Sequence, residues 1–347
     1  MPWSPALARG RRRYLLAAII GWVILGALAV AASPTGAQER RYRVAFANLT
    51  EEPGVTLEGT GFTGREVRES FALASRPLPI DVVFYDNHLD PAKALANTED
   101  AIARKVDLYI QYHRDAASNA AIAAKLRAAR IPVLAVNYPV PDAPLYTADN
   151  LAAGRVAGDA LGRFAARTWP NMPTAAVVVG AVAARDDRVS ERVQGVLEGL
   201  RQRLPAIRVS TLDTQGNPSR VAALLGRVLA AQPSAKVLIA ATDDATALAA
   251  KSAVETSGRL ADAAIVSHGV DRSIHGGLND RKEIDPNNRG SVVIGSVGFF
   301  LDRYGYDVLP LALRMLRGEA VAPRTATRHI LITAANVWVE YPPYDMN

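Results

Sequence analysis

Residues 207–241 read IRVSTLDTQGNPSRVAALLGRVLAAQPSAKVLIAA, and this stretch decides the fold class. It opens with a short extended run, Ile207–Leu212, and closes with a second one, Lys236–Ala241. Between them, Asn217-Pro218 supplies a helix N-cap followed by proline at the first helical position, where no N–H is needed. Val221, Leu224, Leu225, Val228 and Leu229 then recur at helical spacing, so one face of that helix is apolar. A strand, a covering helix and another strand form the repeating unit of a parallel sheet with helices on its faces.

The same rhythm runs outward in both directions. Upstream, Tyr42–Asn48, Ile80–Tyr85, Val106–Tyr112, Pro132–Asn137 and Ala175–Gly180 read as strands, and Asp90-Pro91 opens a helix in the same way. Downstream, Ala263–His268, Val292–Ser296 and His329–Thr333 complete a set of ten. The runs are apolar throughout rather than alternating, as expected when both sheet faces are covered. Ten strands exceed one ordinary open sheet, and 347 residues suffice for two cores. Two lobes are therefore expected, with the Pro-rich segment Tyr138–Pro144 on the approach to the first crossing between them.

The first 37 residues differ in character. Arg11-Arg12-Arg13 precede an uncharged apolar run, Tyr14–Ala32, and small residues follow as far as Ala37. This is the pattern of an export signal cleaved after Ala37 or at Ala29-Val30-Ala31, with an uncleaved membrane anchor as the alternative and a loose likeness to a twin-arginine signal. Its four arginines and lack of acids account for most of the net charge of +6. The basic balance therefore gives no support for nucleic-acid binding, which needs a basic patch on the folded body. The sequence has no cysteine, which excludes disulfides, thiolate metal sites, a cysteine nucleophile and a cysteine-linked lipid anchor.

Ligands of open parallel sheets bind beyond the carboxyl ends of the strands. The polar and aromatic residues there are Asn48, Glu51 and Glu52, then Tyr112 to Asp115, then Asn137 and Tyr138. The second half contributes Arg185 to Arg188, Arg192, Asp213 to Asn217, Thr242, Asp243, Asp244 and Asp271. Carboxylates, amides and guanidinium groups with a few rings suit a neutral polyol, whose hydroxyls they bond and whose C–H face a ring covers. Catalytic patterns are poor: the five histidines show no metal-ligand spacing and no G-x-S-x-G elbow is present. Asp243 and Asp271 could be a glycosidase acid pair, but carboxylates that only hold hydroxyls look the same in sequence, and binding is the favoured role. No cofactor is expected.

One motif offers a rival. Gly59-Thr60-Gly61-Phe62-Thr63-Gly64 is a G-x-G-x-x-G with Asp86 ending the next strand, the outline of a dinucleotide site in an exported NAD(P)-dependent oxidoreductase. Ten residues separate Asn48 from Gly59, however, whereas a dinucleotide fingerprint starts at its strand end. A long, flexible loop ahead of a helix is the preferred reading.

A family resemblance covers nearly the whole chain after the leader. Asp86-Asn87-His88-Leu89-Asp90-Pro91, Ile131-Pro132-Val133-Leu134-Ala135-Val136, Asp149-Asn150-Leu151-Ala152-Ala153-Gly154, Glu191-Arg192-Val193-Gln194-Gly195 and Ala240-Ala241-Thr242-Asp243-Asp244 carry it, together with the tail from Tyr304-Gly305 to Asn336-Val337. In this order they resemble periplasmic sugar-binding proteins of the ribose type, the substrate-binding components of ABC importers. The resemblance implies the type 1 periplasmic binding protein fold: two doubly wound α/β lobes joined by a three-segment hinge. The lobes would be 42–147 with 300–321, and 150–297 with 325–341. It further implies a monomeric periplasmic protein whose partners are a sugar or polyol and an ABC permease, or alternatively a membrane sensor. Matched site positions are Asn137, Tyr138, Arg192, Thr242 and Asp271. The aromatic residues that family places after its first strand are replaced here by Glu51-Glu52-Pro53-Gly54-Val55, so Tyr112, Tyr138 or Phe299 would supply the ring.

Overall fold

Short apolar runs fix their own burial: each must be paired on both edges and covered on both faces, or its backbone groups go unsatisfied. The computed structural model describes residues 40–182, 187–288 and 290–342, with side chains from residue 191 onward in the second span. The leader (1–37) and the side chains of Arg185 to Arg188 lie outside the described residues.

The chain begins β1 (Tyr42–Asn48), α1 (Gly64–Ser75), β2 (Ile80–Asp86), α2 (Pro91–Ala103), β3 (Leu108–Gln111), α3 (Ala116–Ala128), β4 (Val133–Val136) and β5 (Leu145–Thr147). It continues through α4 (Asn150–Thr168), β6 (Thr174–Gly180), α5 (Asp187–Arg203), β7 (Arg208–Asp213), α6 (Val221–Ala231) and β8 (Lys236–Ala241). Then come α7 (Asp244–Thr256), β9 (Ala263–Gly269), β10 (Val293–Gly298), α8 (Tyr304–Leu316), β11 (Arg324–Ala326), β12 (Leu331–Ile332) and α9 (Val337–Glu340).

Two six-stranded sheets result, ordered β11-β5-β4-β3-β1-β2 and β12-β10-β9-β8-β6-β7. Every pairing is parallel except that of β12 with β10. The two-lobed α/β class expected from the sequence is therefore the observed one. The chain passes from the first sheet to the second after β5, returns after β10 and crosses again after β11.

Three details differ from the expectation. Among the described residues there are twelve strands rather than ten, because β5 and β11 are three-residue strands too short to show a period. Arg324–Ala326 pairs with β5, so the third crossing lies at 327–330 and not between 321 and 325, where the expected lobe bounds would put it. The edge strands β2 and β7 are not apolar throughout: Asp81, Arg208, Ser210 and Thr211 are exposed. Charged and polar residues on a sheet edge discourage pairing with another chain.

The helix pair α4 and α5 packs unusually closely, and glycine is the reason. A Cβ on Gly154 would lie 2.0 Å from the Arg192 carbonyl oxygen, and one on Gly195 would lie 2.1 Å from that of Leu151. The two backbones thus meet with no side chain between them, which fixes the register of α5 on α4. Gly195→Ala is expected to lower stability by about 1–3 kcal/mol through overpacking. Gly226→Ala, in α6 with nothing within 4 Å of the added carbon, should raise it by about 0.5–1 kcal/mol. Urea unfolding of the two variants checks both signs.

Candidate functional site

The register of α5 on α4 puts Arg192 beside Asn150, at the first turn of α4. Arg192 is 1% exposed, an uncommon place for a guanidinium unless every donor is used. Its Nε and Nη2 donate to Asn150 Oδ1 at 3.0 and 2.8 Å. Nη1 donates to the carbonyl of Thr242 at 2.6 Å and to that of Gly59 at 2.8 Å. Nη2 donates to the carbonyl of Glu58 at 2.8 Å. A guanidinium has five N–H donors, and these contacts occupy all of them. Beneath it the Phe299 ring lies 4.3 Å from the guanidinium carbon.

Glu58 and Gly59 belong to the segment after β1, far from Arg192 in sequence. That segment is a small hairpin rather than a flexible loop. Thr56 bridges Thr63, the Leu57 N–H donates to the Phe62 carbonyl at 2.8 Å, and the Thr60 N–H donates to the Leu57 carbonyl at 2.9 Å. Glu58 and Gly59, the central residues of the Leu57–Thr60 turn within it, have φ of 56° and 60°, as a turn with both central residues left-handed requires. Leu57 and Phe62 are buried in the hydrophobic cluster that also holds Tyr112 and Phe299. Their burial is worth about 1.5–3 kcal/mol each.

The hairpin tip meets the remaining candidate residues. On the first-sheet side, the Tyr112 hydroxyl donates to Glu58 Oε1 at 2.7 Å and accepts from Asn137 Nδ2 at 3.2 Å. Burial, reinforced by the Glu58 charge, holds the Tyr112 hydroxyl well above its ordinary pKa. Tyr138 stacks on Tyr112 with ring centres 6.1 Å apart. On the second-sheet side, a Cβ on Gly61 would lie 1.6 Å from Asp271 Oδ2, so only glycine fits there as the chain now runs. Thr242 and Asp243, after β8, line a hollow of about 380 Å³ with Arg192, Thr56, Gly59 and Gly61.

Not every candidate converges. Asn48 is buried and ties β1 to α1, donating to the Gly64 carbonyl at 2.8 Å. Glu52 is exposed and lines a separate surface hollow with Arg65 and Asp86. Asp243 caps α7, accepting from the Thr246 N–H at 2.7 Å. The glycine motif does not form a phosphate cradle: it turns carbonyl oxygens, not N–H groups, toward a cation, and Asp86 bonds the Glu51 and His88 N–H groups instead. Among the described residues no group of three or more His, Asp or Glu side chains could hold a metal ion.

Sequence reading missed Asn150 and His329, and named Asp244 only as one of the polar groups at strand ends. Asn150 looks like a helix-cap neighbour, since Asp149 takes the cap. Asp244 is fully buried, accepting from the Ser267 and Ser296 hydroxyls at 2.5 and 2.7 Å and from the Asp271 N–H at 2.8 Å. Burial, with the Asp271 charge beside it, pushes the Asp244 carboxyl up to about 8. His329 staples the crossings: its Nδ1–H donates to the Gly298 carbonyl at 2.9 Å while its Nε2 accepts from the Asp149 N–H at 3.0 Å. Burial lowers the pKa of His329, and takes His268 down to about 3.

A family model described as periplasmic binding protein domain matches residues 54–320. No curated protein matches the sequence. Among solved structures, a sugar ABC transporter sugar-binding protein from Bacillus halodurans is 17% identical, with 87% of this chain and 100% of that one covered at a TM-score of 0.67. An ABC transporter periplasmic solute binding protein from Actinobacillus succinogenes, with bound D-allose, is 15% identical over 85% and 99% of the two chains, at 0.65. An ABC transporter solute binding protein from Agrobacterium vitis, with bound allitol, is 16% identical over 86% and 97%, at 0.61. At these identities the likeness is one of fold.

The buried ionisable groups set a pH profile. His268, held neutral in the fold, contributes stability above its unfolded pKa of 6.5 that is lost as pH falls toward 3. Asp244, held protonated, contributes stability below its unfolded pKa of 3.8 that is lost as pH rises through about 8. Each slope is about 1.4 kcal/mol per pH unit. Between pH 6.5 and 8 only the second of these two acts, so the parent chain is expected to show a fall in urea midpoint over that range, and Asp244→Asn to remove it.

Proposed function

The chain belongs to the periplasmic binding protein domain family, and we propose that it captures a neutral polyhydroxylated small molecule, a sugar or polyol, in the cleft between its two sheets. The observation that carries this reading is that Arg192 and Asp271 both meet the tip of one hairpin, at Glu58-Gly59 and at Gly61. The guanidinium offers only donors and the carboxylate only acceptors, whereas a hydroxyl is both. An anion would meet Asp271 and a cation would meet Arg192, so a neutral polyol suits the pair. Tyr138, half-buried and backed by Tyr112, supplies a flat face for the C–H side of a sugar ring, while the Phe299 ring lies under Arg192. D-allose and allitol in two structural relatives are ligands of the same chemistry.

The leader would export the chain to the periplasm, where an ABC importer's permease would receive the ligand. The two lobes would move about the crossings near 148–149, 299–303 and 327–330, and His329 would hold those crossings in register. A ligand bonded from both sides favours the closed arrangement, as hinge closure does for periplasmic binding proteins as a class. No step in this scheme requires turnover.

Thermal shift of the purified chain with D-ribose, D-allose, allitol, glycerol and NAD tests the reading, since binding only to the native state raises its melting temperature. A sugar or polyol should raise it and NAD should not. Calorimetry with that ligand should show Asp271→Ala weakening binding by about 1.5–3 kcal/mol. Stabilisation by NAD alone, or consumption of a sugar, would contradict the proposal.

A further inference from the structure

We propose that the hairpin Thr56–Phe62 is an internal ligand of the cleft, seated on the groups that bind an external molecule and displaced when one enters. The proposal rests on the cleft being the binding site, though not on which molecule binds there. Two of the five Arg192 donors are spent on the Glu58 and Gly59 carbonyls, and the other three on Asn150 and Thr242, which belong to the Arg192 side of the cleft. No donor remains for a second occupant while the hairpin is seated. The Asp271 carboxylate is likewise covered by Gly61, and the Tyr112 hydroxyl is engaged by Glu58.

One short turn therefore bonds both sides of the cleft at once, which is the mechanical role a ligand plays in closure. Two adjacent carbonyl oxygens stand where the vicinal oxygens of a diol would bond the same two donors. The hairpin closes its own hydrogen bonds, from Leu57 to Phe62 and from Thr60 to Leu57, and so can leave as a unit. Glu58 holds a left-handed φ of 56° without being glycine, a conformation kept only while its surroundings enforce it. The external ligand then binds only the fraction of molecules with the hairpin out, so its apparent Kd exceeds the intrinsic one by the reciprocal of that fraction.

The experiment needs no ligand, so a failed sugar assignment leaves it decisive. The sequence has no cysteine, and the exposed Lys93→Cys on α2 and Gln202→Cys on α5 carry a pair of spin labels in the full chain. Gly61→Val evicts the hairpin by its clash with Asp271, and Gly54→Asn, at an exposed turn with φ of 79° and nothing within 4 Å, is the control. The parent and the control should show one short distance, and Gly61→Val a longer or broader distribution. Cleavage after Glu58 by a glutamate-specific protease should be at least about tenfold faster in Gly61→Val, as a local opening would allow. Where Gly61→Val does not fold, Tyr112→Phe, which adds no bulk, removes the hydroxyl bonded to Glu58 and keeps the cleavage site, decides in the same direction. Unchanged distance and unchanged cleavage in a folded variant would overturn the proposal.

Discussion

A buried guanidinium has to find partners for five N–H groups, and the architecture around Arg192 is arranged by that requirement. Asn150 takes two donors, the end of β8 takes one and the hairpin after β1 takes two. These partners come from three widely separated parts of the sequence and from both sheets. Removing the charge's partners would leave it buried without compensation, which is more costly than never forming the pair. Close helix packing at Gly154 and Gly195, the crossing at Phe299 and the hairpin turn can all be understood as conditions for that one set of bonds.

The constraint spreads to the crossings between the sheets. Phe299 lies under Arg192 and against His329, with ring centres 4.7 Å apart for the latter pair. His329 in turn holds the backbone of the first and second crossings through its two nitrogens. Asp244 anchors the same second-sheet wall by bonding Ser296 just ahead of the second crossing and the backbone of Asp271. A change in what Arg192 bonds therefore acts on residues that also hold the crossings between the two sheets. Site and crossings are linked by contact, through few side chains.

The fold was legible in sequence where burial is symmetric. Central strands such as Lys236–Ala241 are apolar because helices cover both faces, and that leaves a plain signal. The three-residue strands β5 and β11 leave none, since neighbours rather than composition place them. Arg192 and Asp271 could be singled out as strand-end and family-matched positions. The seat of the hairpin could not: Leu57-Glu58-Gly59-Thr60 specifies a tight turn locally, but its partner is Arg192, brought near only by the folded chain. Glycines at 59, 61 and 64 suggested phosphate or flexibility, whereas Gly61 is small because Asp271 lies against it and Gly64 because the Thr50 carbonyl does.

Amide hydrogen exchange of the hairpin in the parent chain and in Arg192→Met tests the central claim most directly. Methionine keeps an apolar stem beside Phe299 and removes the five donors. The account predicts that the Leu57 and Thr60 amides, bonded within the hairpin, are protected in the parent and lose that protection in Arg192→Met while central amides of β6 and β8 keep theirs. Equal protection of Leu57 and Thr60 in both chains would mean that the guanidinium does not hold the hairpin in the cleft, and would contradict the account.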